Sequence, residues 1–249
     1  MAIKKNHPYD TSFFEGLSPV SRESAGAVVP LVNKLVSPAS VLDVGCGTGT
    51  WLAEWVTLGV TDVVGLDGAY VDKAILQIDP AKFVPTDLRK GFSLGRKFDL
   101  VQCLETAEHI DEAYADVLIE SIASHGDTVL FSAGVPGQGG LDHVNEQWPS
   151  YWVEKFAQAG FRMFDVMRPL IWADSRVQTW YRQSMLVFSR SRAFDAAESC
   201  VDFVHPELWA ARIDYGANPR QLVRSLPRAL KFALENRLRR LVRGSGGHF

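Results

Sequence analysis

The segment VLDVGCGTG at residues 41–49 joins a short, mostly apolar run to three closely spaced glycines. The apolar run predicts a buried strand. Gly45, Gly47 and Gly49 predict a tight turn at which a ligand can approach the backbone. Their G-x-G-x-G spacing differs from the G-x-G-x-x-G of dinucleotide folds, and no Lys-Ser/Thr pair follows as in a phosphate-binding P-loop. The segment therefore predicts a strand-to-helix turn that binds another kind of ligand.

Two carboxylates near this turn indicate what the ligand carries. Asp43 lies two residues before the first glycine, where it would repel a pyrophosphate but suits a positively charged ammonium group. Asp67 ends the next predicted strand, 22 residues after Gly45, at the position where a ribose diol is held in nucleotide-binding sheets. A ligand with an amino group at one end and a ribose at the other fits both.

The surrounding sequence alternates strands and helices. Strands are predicted over residues 41–44, 62–66, 82–84, 98–104, 128–132, 162–166 and 184–189. Helices are predicted over residues 21–36, 50–58, 71–78, 111–124 and 149–159, with residues 1–20 irregular. This alternation predicts an α/β fold, a doubly wound and mostly parallel seven-stranded sheet with a C-terminal helical appendage.

Domain boundaries follow from the same pattern. Residues 1–37 are predicted to form an N-terminal arm and helix, either a lid over the ligand or a packed arm. Residues 38–190 form the ligand-binding domain, and residues 191–249 form a C-terminal extension. Three cysteines without a CxxC spacing, no apolar leader and no apolar run of membrane-spanning length predict a cytoplasmic protein.

The net charge of −3 hides an asymmetry. From Asn218 onward there are eight basic residues and one acidic residue, a net charge of +7, which leaves −10 for the rest of the chain. Residues 227–243 predict a basic amphipathic helix that packs on the body, makes a homodimer contact or lies on an anionic membrane. The acidic body and the isoelectric point of about 6.1 argue against a broad nucleic-acid surface.

Four motifs in order resemble those of the class I S-adenosylmethionine (SAM) methyltransferases: VLDVGCGTG, GLDGAY at 65–70, PTDL at 85–88 and FDLVQCLE at 98–105. The resemblance covers residues 38–190. It implies that SAM is the ligand, that Asp87 faces the adenine amino group and that the backbone at Cys103 and Leu104 lines the methionine end. The cofactor-binding residues it implies are Asp43, Gly45, Cys46, Gly47, Gly49, Asp67, Gly68, Asp87, Leu88, Cys103 and Leu104. A SAM-binding protein without catalysis is the alternative, although the motifs are intact.

A group of metal-ligating residue types follows the fourth strand. If this segment turns helically, Glu105, Glu108 and His109 share one face at spacings i, i+3 and i+4. His143 would join them from the loop after the next strand. Two carboxylates and two imidazoles suit a divalent cation such as Mg²⁺, Mn²⁺ or Zn²⁺.

This E-x-x-E-H…H pattern is similar to that of two methyltransferase groups, the ubiquinone-biosynthesis O-methyltransferases and the enzymes that methylate small-RNA 2′-hydroxyls. The resemblance implies Glu105, Glu108, His109 and His143 as ligands of a metal that lowers the pKa of the accepting hydroxyl, with Glu105, His109 and His143 acting in catalysis. The glycine-rich insertion before His143 departs from both groups. Without a metal, His109 packs locally and His143 is a general base or binds substrate.

The loop that contains His143 also carries Asn145, Glu146 and Gln147, a polar set that suits a hydroxylated acceptor such as a sugar. The sequence is also similar to bacterial methyltransferases of surface-polysaccharide and secondary-metabolite pathways. We therefore expect methyl transfer from SAM to a hydroxyl of a small molecule or glycan. The alternatives are 2′-O-methylation of an RNA ribose, and N- or C-methylation of a metabolite with His143 as the base and no metal.

Overall fold

Seven short strands form one sheet in this computed structural model, which describes the backbone of residues 11–195 and 202–217 and the side chains of residues 19–195 and 202–213. The strands are β1 Ser40–Val44, β2 Asp62–Asp67, β3 Phe83–Pro85, β4 Leu100–Leu104, β5 Thr128–Ser132, β6 Arg162–Phe164 and β7 Leu186–Ser189. Their order is β3-β2-β1-β4-β5-β7-β6. All neighbours are parallel except β7, which is antiparallel to both β5 and β6. The predicted seven-stranded, mostly parallel sheet is confirmed.

Helices cover both faces of this sheet. The described helices are α1 Thr11–Val36, α2 Thr50–Thr57, α3 Ala115–His125, α4 Pro149–Gln158, α5 Met167–Ile171, α6 Thr179–Ser184 and α7 Pro206–Ala217. Successive strand residues point to opposite faces, so Val41 packs in a core cluster with α1 and α2, whereas Leu42 packs in a second cluster with α3 and α4. Two buried tryptophans, Trp55 and Trp152, anchor the two layers.

The N-terminal helix begins earlier than the sequence predicts. Residues 1–20 were expected to be irregular because of their glycine and prolines, but α1 begins at Thr11 and contains Pro19 and Pro30. A proline inside a helix costs about 3 kcal/mol in isolation. Burial of one face of α1, including Val28 and Val32, offsets that cost, because helices in proteins are stabilised mainly by packing.

Other local predictions also need correction. Residues 71–78 do not form the predicted helix. They contain a single 3-10 turn at Lys73–Ile75, because the Asp72 carboxylate accepts a hydrogen bond from the Ala74 amide (2.9 Å) and fixes a turn instead. The predicted strand at 184–189 begins later, at Leu186, because Ser184 ends α6. The short helices α5 and α6 and the C-terminal α7 were not predicted.

The described residues fall into two compact units that divide between His205 and Pro206. Helix α7 lies in the second unit. The predicted basic helix at 227–243 lies outside the described residues, as does Cys200. No helix in the described part of the chain is long and apolar enough to cross a membrane.

The strand order reverses between β1 and β4. In a doubly wound sheet, ligands bind at such a reversal, outside the carboxyl ends of the strands. The glycine turn, Asp67 and the segments that follow β4 and β5 all lie at this edge. The fold therefore brings together the residues that the sequence analysis singled out.

Candidate functional site

The turn after β1 requires its glycines. Gly45, Gly47 and Gly49 have φ angles of 83°, 54° and 81°, in the left-handed region that favours glycine. A Cβ atom at Gly45 would lie 2.2 Å from the Thr106 hydroxyl oxygen, so this turn packs directly against the segment that follows β4. The amides of Gly45 and Cys46 both donate to the Leu66 carbonyl, at 2.8 and 3.0 Å, which ties the turn to β2.

Asp67 is the best-connected carboxylate of this turn. It accepts hydrogen bonds from the Gly47 amide (2.7 Å), the Gly68 amide (2.6 Å) and the Tyr70 hydroxyl (2.6 Å). The two amides fix the carboxylate at the end of β2, where the sequence predicts that it holds a diol. A ligand hydroxyl could take the place of the Tyr70 hydroxyl while both backbone amides stay bound.

Asp43 lies on β1 behind the glycine turn and is 3% exposed. Burial raises the pKa of its carboxyl from 3.8 to about 7; Gln102, its register partner on β4, lowers it, and the charge of Asp67 raises it further. The carboxyl is therefore poised between its two protonation states near neutral pH. A cationic ligand at this end of the pocket would favour the ionised form.

The remaining predicted cofactor residues line the same edge. Asp87 follows β3 and forms a bidentate pair with Arg89, whose hydrogen bonds and charge lower the pKa of Asp87 to about 2. Burial raises the pKa of the Cys46 and Cys103 thiols, so neither is an activated nucleophile. Other predicted residues at this edge are Gly68, which packs on the Tyr70 ring, and the buried Leu88 and Leu104.

The segment after β4 does not turn as the sequence predicts. Glu105 has a φ of 50°, and only Ala107–His109 forms a 3-10 turn, so the expected helical face carrying Glu105, Glu108 and His109 is wrong. A left-handed residue at the strand end reverses the backbone before any helical spacing can apply. The loop after β5 nevertheless brings in His143, as expected.

Three of the four predicted metal ligands come together. One potential ligand atom from each of Glu108, His109 and His143 lies within 4.8 Å of the others. Glu105 lies beside this group, since its carboxylate instead accepts hydrogen bonds from Gln138 Nε2 (2.7 Å) and Ser184 Oγ (3.3 Å). We refer to Glu108, His109 and His143 as the Glu-His-His cluster.

The side chain of Glu108 is fully buried, and within the described part of the chain neither of its oxygens has a partner with full hydrogen-bond geometry. The amides of Glu108 and Gly134 lie close enough to lower the pKa of this carboxyl. Burial, and then the neighbouring Glu105, raise the pKa of this carboxyl well above its usual value. A buried, unpartnered carboxylate is costly unless a cation or a proton compensates it. Glu108 therefore favours either a proton or a bound cation.

The imidazoles next to Glu108 suit a metal. Burial, and then the neighbouring His143, lower the pKa of His109 from 6.5 to about 4, so His109 is neutral at physiological pH. The His109 and His143 rings meet edge to face, with their centroids 4.8 Å apart. Two imidazoles beside a carboxylate form a ligand set that suits Mn²⁺ and Zn²⁺. Mg²⁺ would bind chiefly to the carboxylate oxygens. The residues present therefore fit a divalent cation.

The loop that carries His143 is clamped onto the 3-10 turn. The amides of Val144 and Asn145 both donate to the Glu108 carbonyl, at 2.9 and 3.0 Å. His143 Nδ1 lies 2.9 Å from Glu146 Oε1, and His143 Nε2 lies 4.0 Å from Glu108 Oε1. This geometry directs Nε2 toward the cluster.

Two residues, Gln138 and Glu146, have structural roles that the sequence pattern does not indicate. Gln138 holds Glu105, and Glu146 holds His143; Glu146 was noted only as a polar member of the loop. Burial would raise the pKa of Glu146, but hydrogen bonds from His143 and from the Gly137 and Gly139 amides lower it overall. The glycines at 137, 139 and 140 were the one signal that this loop folds tightly around a side chain.

Comparisons with known proteins give a family for the sequence and similar structures for the fold. The model of the methyltransferase-domain family matches residues 20–166. A putative O-methyltransferase from Nostoc punctiforme has a TM-score of 0.56 at 17% identity, with 75% of this chain and 62% of that chain covered. The chain therefore spans less than two thirds of the Nostoc protein.

Two sugar-modifying enzymes have the same fold. The sugar N-methyltransferase KedS8 from Streptoalloteichus has a TM-score of 0.56 at 18% identity, with 77% of this chain and 99% of that chain covered. CalS10, an amino pentose methyltransferase from Micromonospora echinaspora solved with SAM bound, has a TM-score of 0.51 at 17% identity, with 72% and 97% covered. At these identities the likeness is one of fold. A comparison with curated protein sequences finds no match.

Proposed function

The chain belongs to the methyltransferase-domain family, and on that premise we propose that it transfers a methyl group from SAM to a hydroxyl of a small-molecule or glycan acceptor, assisted by a divalent metal. The observation that carries this proposal is the buried carboxylate of Glu108 beside two imidazoles, at the same sheet edge as the glycine turn. The cluster supplies what a hydroxyl acceptor needs, which is a means of losing its proton.

The cofactor half of the site supports SAM as the methyl donor. Asp67, held by the Gly47 and Gly68 amides, would accept hydrogen bonds from the ribose hydroxyls. Asp43 would compensate the charge of the methionine ammonium. The left-handed turn at Gly45 brings the backbone close to the ligand between these two carboxylates.

The acceptor half performs the chemistry. The sulfonium already activates the methyl group, so the enzyme must align an in-line attack and remove the hydroxyl proton. In the transfer, the acceptor oxygen forms a bond to the methyl carbon and the carbon–sulfur bond breaks. The hydroxyl proton passes to water where His143 holds a metal, and to His143 Nε2 where no metal is bound. A metal held by Glu108, His109 and His143 would lower the pKa of the accepting hydroxyl.

A small acceptor fits this site better than RNA does. The segment 139–147 contains Asp142 and Glu146 and no lysine or arginine. Phosphate-backbone binding depends on basic side chains, so this loop would repel a nucleic acid. A neutral, polyhydroxylated molecule meets no such barrier.

N-methylation of an amino sugar is the second candidate function. Glu105 and Glu108 form a carboxylate pair that would attract an ammonium group in place of a metal, and His143 would take the proton that the amine must lose before attack. KedS8 and CalS10, which share the fold, are a sugar N-methyltransferase and an amino pentose methyltransferase. The two functions differ in the acceptor atom and in their need for metal.

A screen with isotope-labelled SAM tests the proposal. The panel contains sugars, amino sugars and phenols, each assayed with and without divalent metal, and the product linkage is read by mass spectrometry and NMR. We expect label on a hydroxyl oxygen in the presence of metal. Label only on nitrogen would favour the second candidate function, and no transfer to any member would count against both.

SAM affinity is expected to rise with pH. Binding the ammonium requires ionised Asp43, whose pKa is about 7 in the free protein, so affinity should fall by up to about tenfold per pH unit below 7. Because the folded pKa exceeds the unfolded value of 3.8, ionisation of Asp43 also costs folding stability as pH rises from about 4 to 7. Calorimetric titration between about pH 6 and 8 measures the first effect. Asp43→Asn should bind more weakly and without this slope, and a flat wild-type profile would contradict the role of Asp43.

Chelation is expected to abolish O-methyl transfer in the wild-type protein, and added Mg²⁺, Mn²⁺ or Zn²⁺ should restore it. Glu108→Gln should not be restored, because the buried amide no longer supplies the charged ligand. Glu112→Gln, in the exposed 3-10 turn that follows, is the matched control and should respond like wild type. Full activity in EDTA would exclude the metal role.

A further inference from the structure

We propose that Glu146 is a positioning residue that fixes the imidazole of His143 with its hydrogen on Nδ1, so that the unprotonated Nε2 faces Glu108 and His109. The role of that nitrogen in the reaction rests on the proposed function. The contacts that fix the tautomer do not depend on it, because they are present in the described structure. Neither the family match nor the fold neighbours assign a role to this residue.

Glu146 can only accept hydrogen bonds in this arrangement. Its Oε2 accepts from the Gly137 amide (2.7 Å), and its Oε1 accepts from the Gly139 amide (2.6 Å) as well as facing His143 Nδ1 at 2.9 Å. Two backbone amides donate to this carboxylate, and such donors favour its ionised form, which can only accept. The hydrogen of the His143–Glu146 contact therefore belongs to Nδ1 of the imidazole.

The glycine-rich loop is built around this carboxylate. Gly137 and Gly139 have φ angles of 85° and 71°, which point two successive donors at the carboxylate of Glu146. Gly140 leaves room for the ring, because a Cβ atom there would lie 2.1 Å from His143 Nε2. This gives a physical reason for the insertion that separates the sequence from the E-x-x-E-H…H groups it resembles.

The consequence for the cluster follows from the chemistry of imidazole. The nitrogen available for a metal or a proton is set by the hydrogen bond that the other nitrogen makes. In the neutral ring with Nδ1 donating to Glu146, Nε2 carries the lone pair, and it lies 4.0 Å from Glu108 Oε1. Losing such a carboxylate partner typically weakens metal binding by about 10- to 100-fold.

The direct test is ¹⁵N NMR of the His143 ring in the metal-free protein, without SAM or acceptor. We expect wild type to carry its hydrogen on Nδ1, and Glu146→Gln to retain it because the amide oxygen still accepts. Glu146→Ala should show a mixture of both tautomers. Glu154→Ala, an exposed glutamate on α4, is the control for loss of a carboxylate elsewhere.

A second readout is the Zn²⁺ or Mn²⁺ affinity of the same variants, measured by titration. Glu146→Ala should bind about 10- to 100-fold more weakly, Glu146→Gln should recover most of the loss, and kcat should fall with the SAM Kd unchanged. Retention of the Nδ1 hydrogen in Glu146→Ala would overturn the inference. So would a Glu146→Gln variant that loses the tautomer as completely as Glu146→Ala.

Failure of the proposed function gives a different result. If no acceptor is methylated but the ring tautomer depends on Glu146 as described, the contact stands and the reaction is wrong. If transfer occurs and Glu146→Ala changes neither tautomer nor metal affinity, the reaction stands and this inference is wrong.

Discussion

Replacing His143 with alanine is expected to abolish methyl transfer while leaving the affinity for SAM nearly unchanged. His143 Nε2 faces Glu108 on the acceptor side of the site, where it would hold the metal or, without one, take the acceptor's proton. Loss of a general base lowers turnover by about 10²- to 10⁴-fold. In the metal-assisted reaction the same substitution removes a metal ligand instead. Single-turnover transfer of labelled methyl and calorimetric SAM titration measure the two effects separately.

Val144→Ala is the matched control for this substitution. Val144 is the next residue on the same loop and is 61% exposed, so its truncation tests whether the loop tolerates change without loss of activity. Turnover should stay near the wild-type level. Survival of activity in His143→Ala would show that the assignment of the acceptor site is wrong.

Asp67→Ala is expected to have the largest effect on cofactor binding. A ribose diol would donate to this carboxylate, and each hydrogen bond to a charged group contributes about 1.5–3 kcal/mol. Losing the carboxylate should therefore weaken SAM binding by at least roughly tenfold per bond lost. The amides of Gly47 and Gly68 also lose their acceptor, which would disorder the turn that the ligand approaches.

Asp62→Ala separates this effect from general damage to β2. Asp62 begins the strand that Asp67 ends, and it forms an exposed pair with Arg96, which contributes little to stability. Its SAM affinity should equal that of wild type. Equal SAM affinities in Asp67→Ala and wild type would contradict the placement of the ribose at the end of β2.

The sheet and the cofactor half of the site were predictable because the signals are local. The short apolar runs around Val41 and Val101 predict strands of about the right length. The three glycines at 45–49 predict a tight turn from their own spacing, whatever packs around them. The match of the methyltransferase-domain family confirms the enzyme class that the four motifs predicted. The metal and the acceptor atom stay predictions.

The acceptor half was only partly predictable because it depends on long-range backbone geometry. Helical spacing predicts that Glu105 lies beside Glu108 on one helix face. The left-handed φ of Glu105 turns the chain instead, and its carboxylate accepts a hydrogen bond from Gln138, 33 residues away. The pairing of Glu146 with His143 likewise depends on the fold of the glycine loop. No periodicity in the sequence encodes these contacts.

The prediction that residues 1–20 are irregular was wrong from Thr11 onward for a related reason. Pro19 and Pro30 lower the intrinsic preference for a helix, but burial of Val28 and neighbouring residues against α2 decides the conformation. The charge asymmetry between the acidic body and the basic C-terminal segment supports a prediction about partners only. Its basic segment at 227–243 lies beyond the described residues, and peripheral membrane binding or a homodimer contact remain the proposals for it.

Calorimetric titration of SAM into the full-length protein tests the central claim most directly. We predict saturable binding of about one SAM per chain, strengthened as pH rises through about 7 and weakened by Asp67→Ala but not by Asp62→Ala. Absence of any SAM binding by the folded wild-type chain would contradict the account.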